Sequence, residues 1–204
     1  LELPMRSTRI QAALCGALIM AALSAAGGDW PQFRGPTGDG LATATNLPLT
    51  WSPTQNVRWK AAIPGRGRSS PVLLGDRIWL TTAVETGMRT FPEGSSQMNE
   101  AERVAFGVVC LDQATGKQLY HAEVFSLEKP GPINALNSYA TPTPVVEPGR
   151  LYCDFGTFGT ACVDADSGKV LWRRQFPVDH HHGPGSSPAL YKDLLVLVRD
   201  GRDQ

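Results

Sequence analysis

Short apolar runs recur along this chain, each opened by a small hydroxyl residue and a proline and closed by a tight turn. They begin SSP-VLL at Ser69, TPTP-VV at Thr141 and SSP-ALY at Ser186. Each leads through a turn (Gly75-Asp76-Arg77, Pro148-Gly149-Arg150, Lys192-Asp193) into a second apolar run, at residues 78–82, 151–155 and 194–198. After the first two copies comes a second shared phrase, CLDQATGKQLY from Cys110 and CVDADSGKVLW from Cys162. Runs this short, bounded by Gly, Pro and Asp, predict strands rather than helices. A unit of this size cannot bury its own apolar face, so the copies must pack on one another.

Each full copy resolves into four strands. Pro71, Pro144 and Pro188 stand at the opening of the first strand, where no ladder donor is required. The third strand ends at Leu111 or Val163, and an Asp-x-x-Ser/Thr-Gly-Lys turn follows. There Asp112 or Asp164 can accept hydrogen bonds from turn amides, while Gly116 or Gly168 takes the left-handed conformation of a hairpin bulge. The fourth strand carries Tyr120 or Trp172. Four antiparallel strands in a repeat of roughly 40 to 50 residues is the arithmetic of a β-propeller blade. Pro144 and Pro188 lie 44 residues apart, and Pro71 and Pro144 lie 73 apart. The first blade therefore carries two insertions, polar and non-periodic, at about 83–103 and 125–139.

Strand parity places both insertions at one end of the sheets. In an up-and-down sheet the odd-numbered turns share one end and the even-numbered connections the other. The two insertions and the HHHGPG loop at His180 belong to the even set, so they emerge on one long-loop face, where function tends to concentrate. Upstream, Val57-Arg58-Trp59-Lys60 reads as a lone fourth strand, because Trp59 precedes Ser69-Ser70-Pro71 much as Trp172 precedes Ser186-Ser187-Pro188. The expected fold is all-β: an incomplete propeller with a closing strand, two blades and half of a third. A closed ring needs about four to eight blades, so further blades, the missing propeller partners, are expected from elsewhere.

Composition narrows the class. Lys plus Arg equals Asp plus Glu, so the net charge is zero and no basic footprint argues for nucleic acid. Twenty-one Gly and sixteen Pro suit many short strands joined by turns. Residues 10–23 form an apolar run after Arg6 and Arg9, followed by small residues Ser24, Ala25 and Ala26. This reads as a signal peptide over residues 1–26, leaving the propeller domain at 27–204. The alternative is an uncleaved anchor, for which about 20 apolar residues are wanted. Export implies a periplasmic or extracellular location that permits disulfides. Cys110 and Cys162 hold one structural position in successive repeats and read as core. Cys153 and Cys162 lie on facing strands of one hairpin, where a bridge and two free thiols are both open.

Candidate chemistry is sparse. His180, His181 and His182 after Asp179 are potential metal ligands, yet three consecutive loop residues rarely converge on one ion. A solvated or hydrogen-bonded loop is the expectation, with no metal; His121 is expected to face solvent. Gly65-Arg66-Gly67-Arg68 lacks a following helix to complete a phosphate site and reads as a turn. The repetition of Ser69, Ser70, Ser186 and Ser187 argues for structure, and Trp59, Tyr120 and Trp172 read as packing between blades. Asp112 and Asp164 already serve their own turns, so no catalytic pair is assigned to them.

The phrase Cys-Val-Asp-Ala-Asp-Ser-Gly-Lys-Val-Leu-Trp resembles the repeat of pyrroloquinoline-quinone-like β-propellers, Ala-x-Asp-x-x-Thr-Gly-x-x-x-Trp, whose Trp docks adjacent blades. Departures are Cys110 and Cys162 for Ala, Ser167 for Thr and Tyr120 for Trp. The opening GDWPQFRGPTGDG at Gly28 is similar to the start of exported members, and the resemblance covers about residues 29–200. It implies a propeller of the exported, non-enzymatic type that binds a protein, peptide or polysaccharide through the long-loop face, meeting a membrane only through its export signal. The alternative it implies is part of a dehydrogenase that uses pyrroloquinoline quinone (PQQ) and calcium. Dehydrogenase members carry an adjacent Cys-Cys pair, calcium ligands and a catalytic Asp. This sequence has no Cys-Cys pair and no calcium cluster matches, so no cofactor and no catalysis are expected of it.

Overall fold

The computed structural model describes residues 28–45 and 47–201; the proposed signal peptide lies outside them. The strands follow in order: β1 (Val72–Leu74), β2 (Arg77–Thr86), β3 (Arg89–Glu93), β4 (Ser96–Glu100), β5 (Arg103–Asp112), β6 (Gln118–Glu128) and β7 (Ile133–Asn134). Then come β8 (Val145–Glu147), β9 (Arg150–Asp154), β10 (Thr160–Asp164), β11 (Val170–Arg174), β12 (Ala189–Tyr191) and β13 (Leu194–Val196). Two four-stranded antiparallel sheets, β1-β2-β5-β6 and β8-β9-β10-β11, are the two blades, and β12-β13 is the opening half of a third. Pro71, Pro144 and Pro188 each immediately precede the first strand of their sheet.

Alternation along the strands explains the stacking. In β2, Trp79, Thr81 and Ala83 point to one side and sit opposite Cys110, Val108 and Phe106 of β5. That side packs on Leu151, Cys153, Phe155, Ala161 and Val163 of the second blade, forming one core with Tyr120 at its margin. The second blade turns its other side, with Val145, Tyr152, Cys162 and Trp172, toward Leu190 and Leu195 of the half-blade. Period-2 alternation therefore gives each sheet two apolar faces, one for each neighbour. Each fully buried large side chain in such a seam is worth about 1.5–3 kcal/mol.

Hydroxyls at the strand openings tie the blades together. Ser70 N donates to Thr143 Oγ1 at 2.9 Å, and Thr143 N donates to Ser187 Oγ at 3.0 Å. The recurring Ser and Thr are thus links from each blade to the next.

Four features differ from the sequence reading or go beyond it. The insertion at 83–103 is regular: β2 and β5 run on as a ten-residue ladder, and β3 and β4 form a hairpin beyond it. Its polar composition suits a ribbon whose β3 is largely exposed and whose β4 buries only Met98 and Asn99, which needs no apolar period. The second insertion supplies β7, which pairs with β4 through Met98–Asn134 and Asn99–Ile133, so the two insertions build one small sheet. Val57-Arg58-Trp59-Lys60 forms no strand, because an outer strand needs inner strands of its own sheet to bond to. Finally, GDWPQFRGPTGDG lies along the inner edges of both blades: Trp30 and Leu73 exchange backbone hydrogen bonds at 2.9 Å each way, and Val146 N donates to Pro31 O at 2.9 Å. That segment covers edge groups that would otherwise stand open.

Candidate functional site

The short-turn end is built from the repeated phrase. Asp112 Oδ1 accepts from Thr115 N at 2.8 Å and from Thr115 Oγ1 at 2.6 Å; Asp164 Oδ1 accepts from Ser167 N at 2.8 Å and from Ser167 Oγ at 2.7 Å. These bonds hold both carboxyls below the usual range, the side-chain hydroxyl contributing most. Gly116 and Gly168 have φ of 71° and 73°, and each lies under an aromatic ring of the preceding repeat. A Cβ at Gly116 would strike the Trp59 ring, and one at Gly168 would come within 2.8 Å of the Tyr120 ring.

The polar edges of those rings repeat the contact. Trp59 Nε1 donates to Gln113 O at 3.0 Å, and Tyr120 Oη donates to Ala165 O at 2.9 Å. Gln113 and Ala165 each follow the turn Asp. Trp79 Nε1 donates to Tyr120 Oη at 2.9 Å, and Arg77 reaches Asp166 Oδ1 at 2.9 Å. The sequence placed Arg77 and Arg150 only in their turns and Trp79 only in a strand, and gave none of them a role between blades.

The opposite end gathers the long connections. Asn134 N donates to His182 O at 3.3 Å, and Asn137 Nδ2 bonds His182 O at 2.8 Å and Pro184 O at 3.0 Å. With the β3-β4-β7 sheet they form one continuous surface. Its outer ribbon is polar with one aromatic, Phe91, over which the Arg89 guanidinium sits at 5.1 Å. Arg89 also pairs with Glu100.

The histidines do not converge. The His180 ring meets Phe158 edge-on at 5.1 Å, and its Nδ1 accepts from Gly183 N at 3.1 Å. Burial lowers its pKa, against the opposing charge of Asp179. His181 and His182 meet edge-to-face at 4.4 Å, and His121 is exposed. Among the described residues, no three His, Cys, Asp or Glu side chains gather as a metal site requires.

Two ion pairs escaped the sequence reading, one buried and one whose arginine is exposed. Arg199 bonds Asp154 Oδ1 at 2.5 Å and Oδ2 at 2.9 Å, and also Thr160 Oγ1 at 2.9 Å. Glu85 pairs with Arg66 at 3.3 Å, and burial raises its pKa. No local pattern announces either pair. In the GRGR stretch, Arg66 N donates to Ala83 O and Arg68 N to Ala140 O, so these amides serve blade packing.

The three described cysteines, Cys110, Cys153 and Cys162, are free and buried. Cys153 faces Ala161 across the ladder, whereas Cys162 faces Tyr152. The two thiols therefore point to opposite sides of the sheet, which leaves them unbridged. Burial pushes Cys110 and Cys162 up to about 11 and Cys153 well above the usual thiol range.

Residues 105–204 match the family described as outer membrane protein assembly factor BamB, a PQQ-like repeat family. Residues 105–204 carry PQQ-like repeats. The matched stretch begins inside β5 and takes in both Asp-Ser/Thr-Gly turns, Tyr120 and Trp172, the residues that make the seams. No curated protein matches the chain. Among the described residues no helix is long and apolar enough to cross a membrane.

Proposed function

We propose that this PQQ-like propeller chain is exported and works as a scaffold, binding a protein, peptide or polysaccharide through its long-loop face, without catalysis or a bound cofactor. The observation that carries this reading is the division of labour between the two ends. Turns at one end are minimal and fully engaged in holding blades together. At the other end two separate insertions pair with each other into an added sheet. Met98, Asn99 and Ile133 anchor this sheet in the interior, but β3 is largely exposed, and ordering its five residues costs roughly 1–2 kcal/mol each; recognition by a partner offsets such a cost. The family description, an assembly factor, supports a role in handling other proteins.

The test places a photo-cross-linking residue at Glu93, at the ribbon tip, and at Lys117, on the short-turn end, in the exported chain. Cross-links from position 93 and none from position 117 support the proposal. Cross-links only from 117, or reduction of a redox dye when quinone and calcium are supplied, overturn it.

A further inference from the structure

A cavity of about 260 Å³ opens between the outer strands of the first two blades, lined by Phe125 and Leu127 of β6, Phe158 and Gly159 after β9, and Arg173 and Arg174 of β11. Its floor is aromatic and braced from behind. Phe158 is 3% exposed and meets Phe106 at 5.5 Å and Tyr139 at 5.3 Å, while Phe125 meets Phe106 at 5.0 Å. Gly159 gives the Phe125 ring its place, since a Cβ there would come within 2.8 Å of it. The rim is basic. Val124 is the extra residue of a bulge in β6, and its carbonyl accepts from Arg173 Nε. That bond carries the guanidinium across from β11 to β6 and leaves its Nη groups, among the described residues, without a protein partner. Arg174 bonds the carbonyl of Arg173. The acids of β6, Glu123 and Glu128, go to Arg103 instead, at 3.8 and 3.3 Å. Among the described residues neither rim arginine forms an ion pair.

We infer that this cavity seats an acidic segment of a partner protein, with one large apolar side chain between Phe125, Leu127 and Phe158 and the carboxylate of a neighbouring Asp or Glu on the Nη groups of Arg173. The inference rests on the scaffold reading and deepens it, because β6, β11 and the loop after β9 all meet the cavity at the long-loop end. An apolar recess alone accepts any greasy side chain; the unpaired guanidinium beside it selects for negative charge. Its fork takes a carboxylate through two parallel hydrogen bonds. The bond from Nε to Val124 O already fixes the side chain, so little freedom is lost on pairing. Arg173 also covers a carbonyl on the free edge of β6, so recognition there runs through side chains rather than through an added strand. All of the lining belongs to the first two blades.

The probe is the capped peptide acetyl-Ser-Gly-Phe-Asp-Gly-Ser-amide, whose only carboxylate is the Asp side chain, titrated into the isotope-labelled full chain. The Gly159 amide and the Arg173 Nε–H are expected to shift and to saturate together. Peptides with Asn for Asp, or Ala for Phe, are expected to bind at least about tenfold more weakly. Arg173→Glu is expected to lose the acidic peptide and to gain one with Lys in place of Asp. The peptide comparisons need no variant of the chain, so a poorly folded Arg173→Glu leaves the test intact. Equal binding of the Asp and Asn peptides, or no binding, overturns the inference. So do shifts at these positions that grow with chain concentration alone, or with anionic lipid vesicles and not with peptide, since they assign the cavity to another occupant. Any of those results alongside cross-links from position 93 retains the scaffold reading and removes this site alone.

Discussion

Tyr120, on the last strand of the first blade, lies flat against Gly168 in the closing turn of the second and donates its hydroxyl to Ala165 O, one residue past the turn Asp. Trp59 stands in the same relation to Gly116 and Gln113. The rule is one of registry: an aromatic at the end of one repeat closes on a glycine at the turn of the next. The glycine meets two demands at once, a left-handed backbone and clearance for a ring.

Those two demands can be separated. Gly168→Ala incurs both the left-handed penalty and the ring collision, and is expected to lower stability by about 3 kcal/mol. Gly149→Ala has φ of 77° but open space around its Cβ, so only the backbone term of about 1–2 kcal/mol applies. Urea unfolding of the two variants reads the difference; equal losses would show that the ring does not press on Gly168.

Asp154 is 1% exposed and Arg199 14%, so neither charge has water to fall back on. Arg199→Met alone is expected to cost about 3–5 kcal/mol, because Asp154 is left buried and unpaired. Arg199→Met combined with Asp154→Leu is expected to recover much of that loss. A double-mutant cycle by denaturant unfolding checks the coupling.

The buried thiols set an alkaline limit. Unfolded cysteine ionises near 8.5, whereas Cys110 and Cys162 are held up to about 11 by burial. Their raised values mean that the folded chain keeps protons which the unfolded chain gives up. Stability is therefore whole below about pH 8.5 and falls as pH rises toward about 11. Unfolding midpoints measured from pH 7 to 11 check this, and a thiol reagent at pH 8 is expected to label all three described cysteines only after denaturation.

His180 sets the corresponding acid limit for its loop. Its pKa is lowered by burial, so the unfolded loop takes up a proton first and packing weakens as pH falls below about 6.5. Protonation at Nδ1 also removes the acceptor for Gly183 N. Hydrogen exchange at the Gly183 amide is expected to speed up between pH 7 and 5, beyond the intrinsic trend, and His180→Phe is expected to abolish that excess.

The seams were legible in the sequence because they repeat: two copies of Asp-x-x-Ser/Thr-Gly and an aromatic at fixed offset give strand, turn and neighbour together. Parity of the connections likewise put both insertions at one end, where they pair through Met98 and Asn134. What the residues left hidden depends on long-range partners. Nothing local in Arg199 or Asp154 declares that the two meet across 45 positions. The ribbon β3–β4 was hidden for another reason: β3 is largely exposed and β4 buries the adjacent pair Met98 and Asn99, so neither strand carries a hydrophobic period. Trp30 gave no strand signal, because its pairing is a single bridge to Leu73.

Proton NMR of the folded chain bears most directly on the stacking of blades, through the α-protons of Gly116 and Gly168. Rings lying on them should shift these protons upfield, with cross-relaxation to Trp59 and Tyr120 respectively. Glycine α-protons at ordinary shifts, with no cross-peaks to either ring, would contradict blade-to-blade docking.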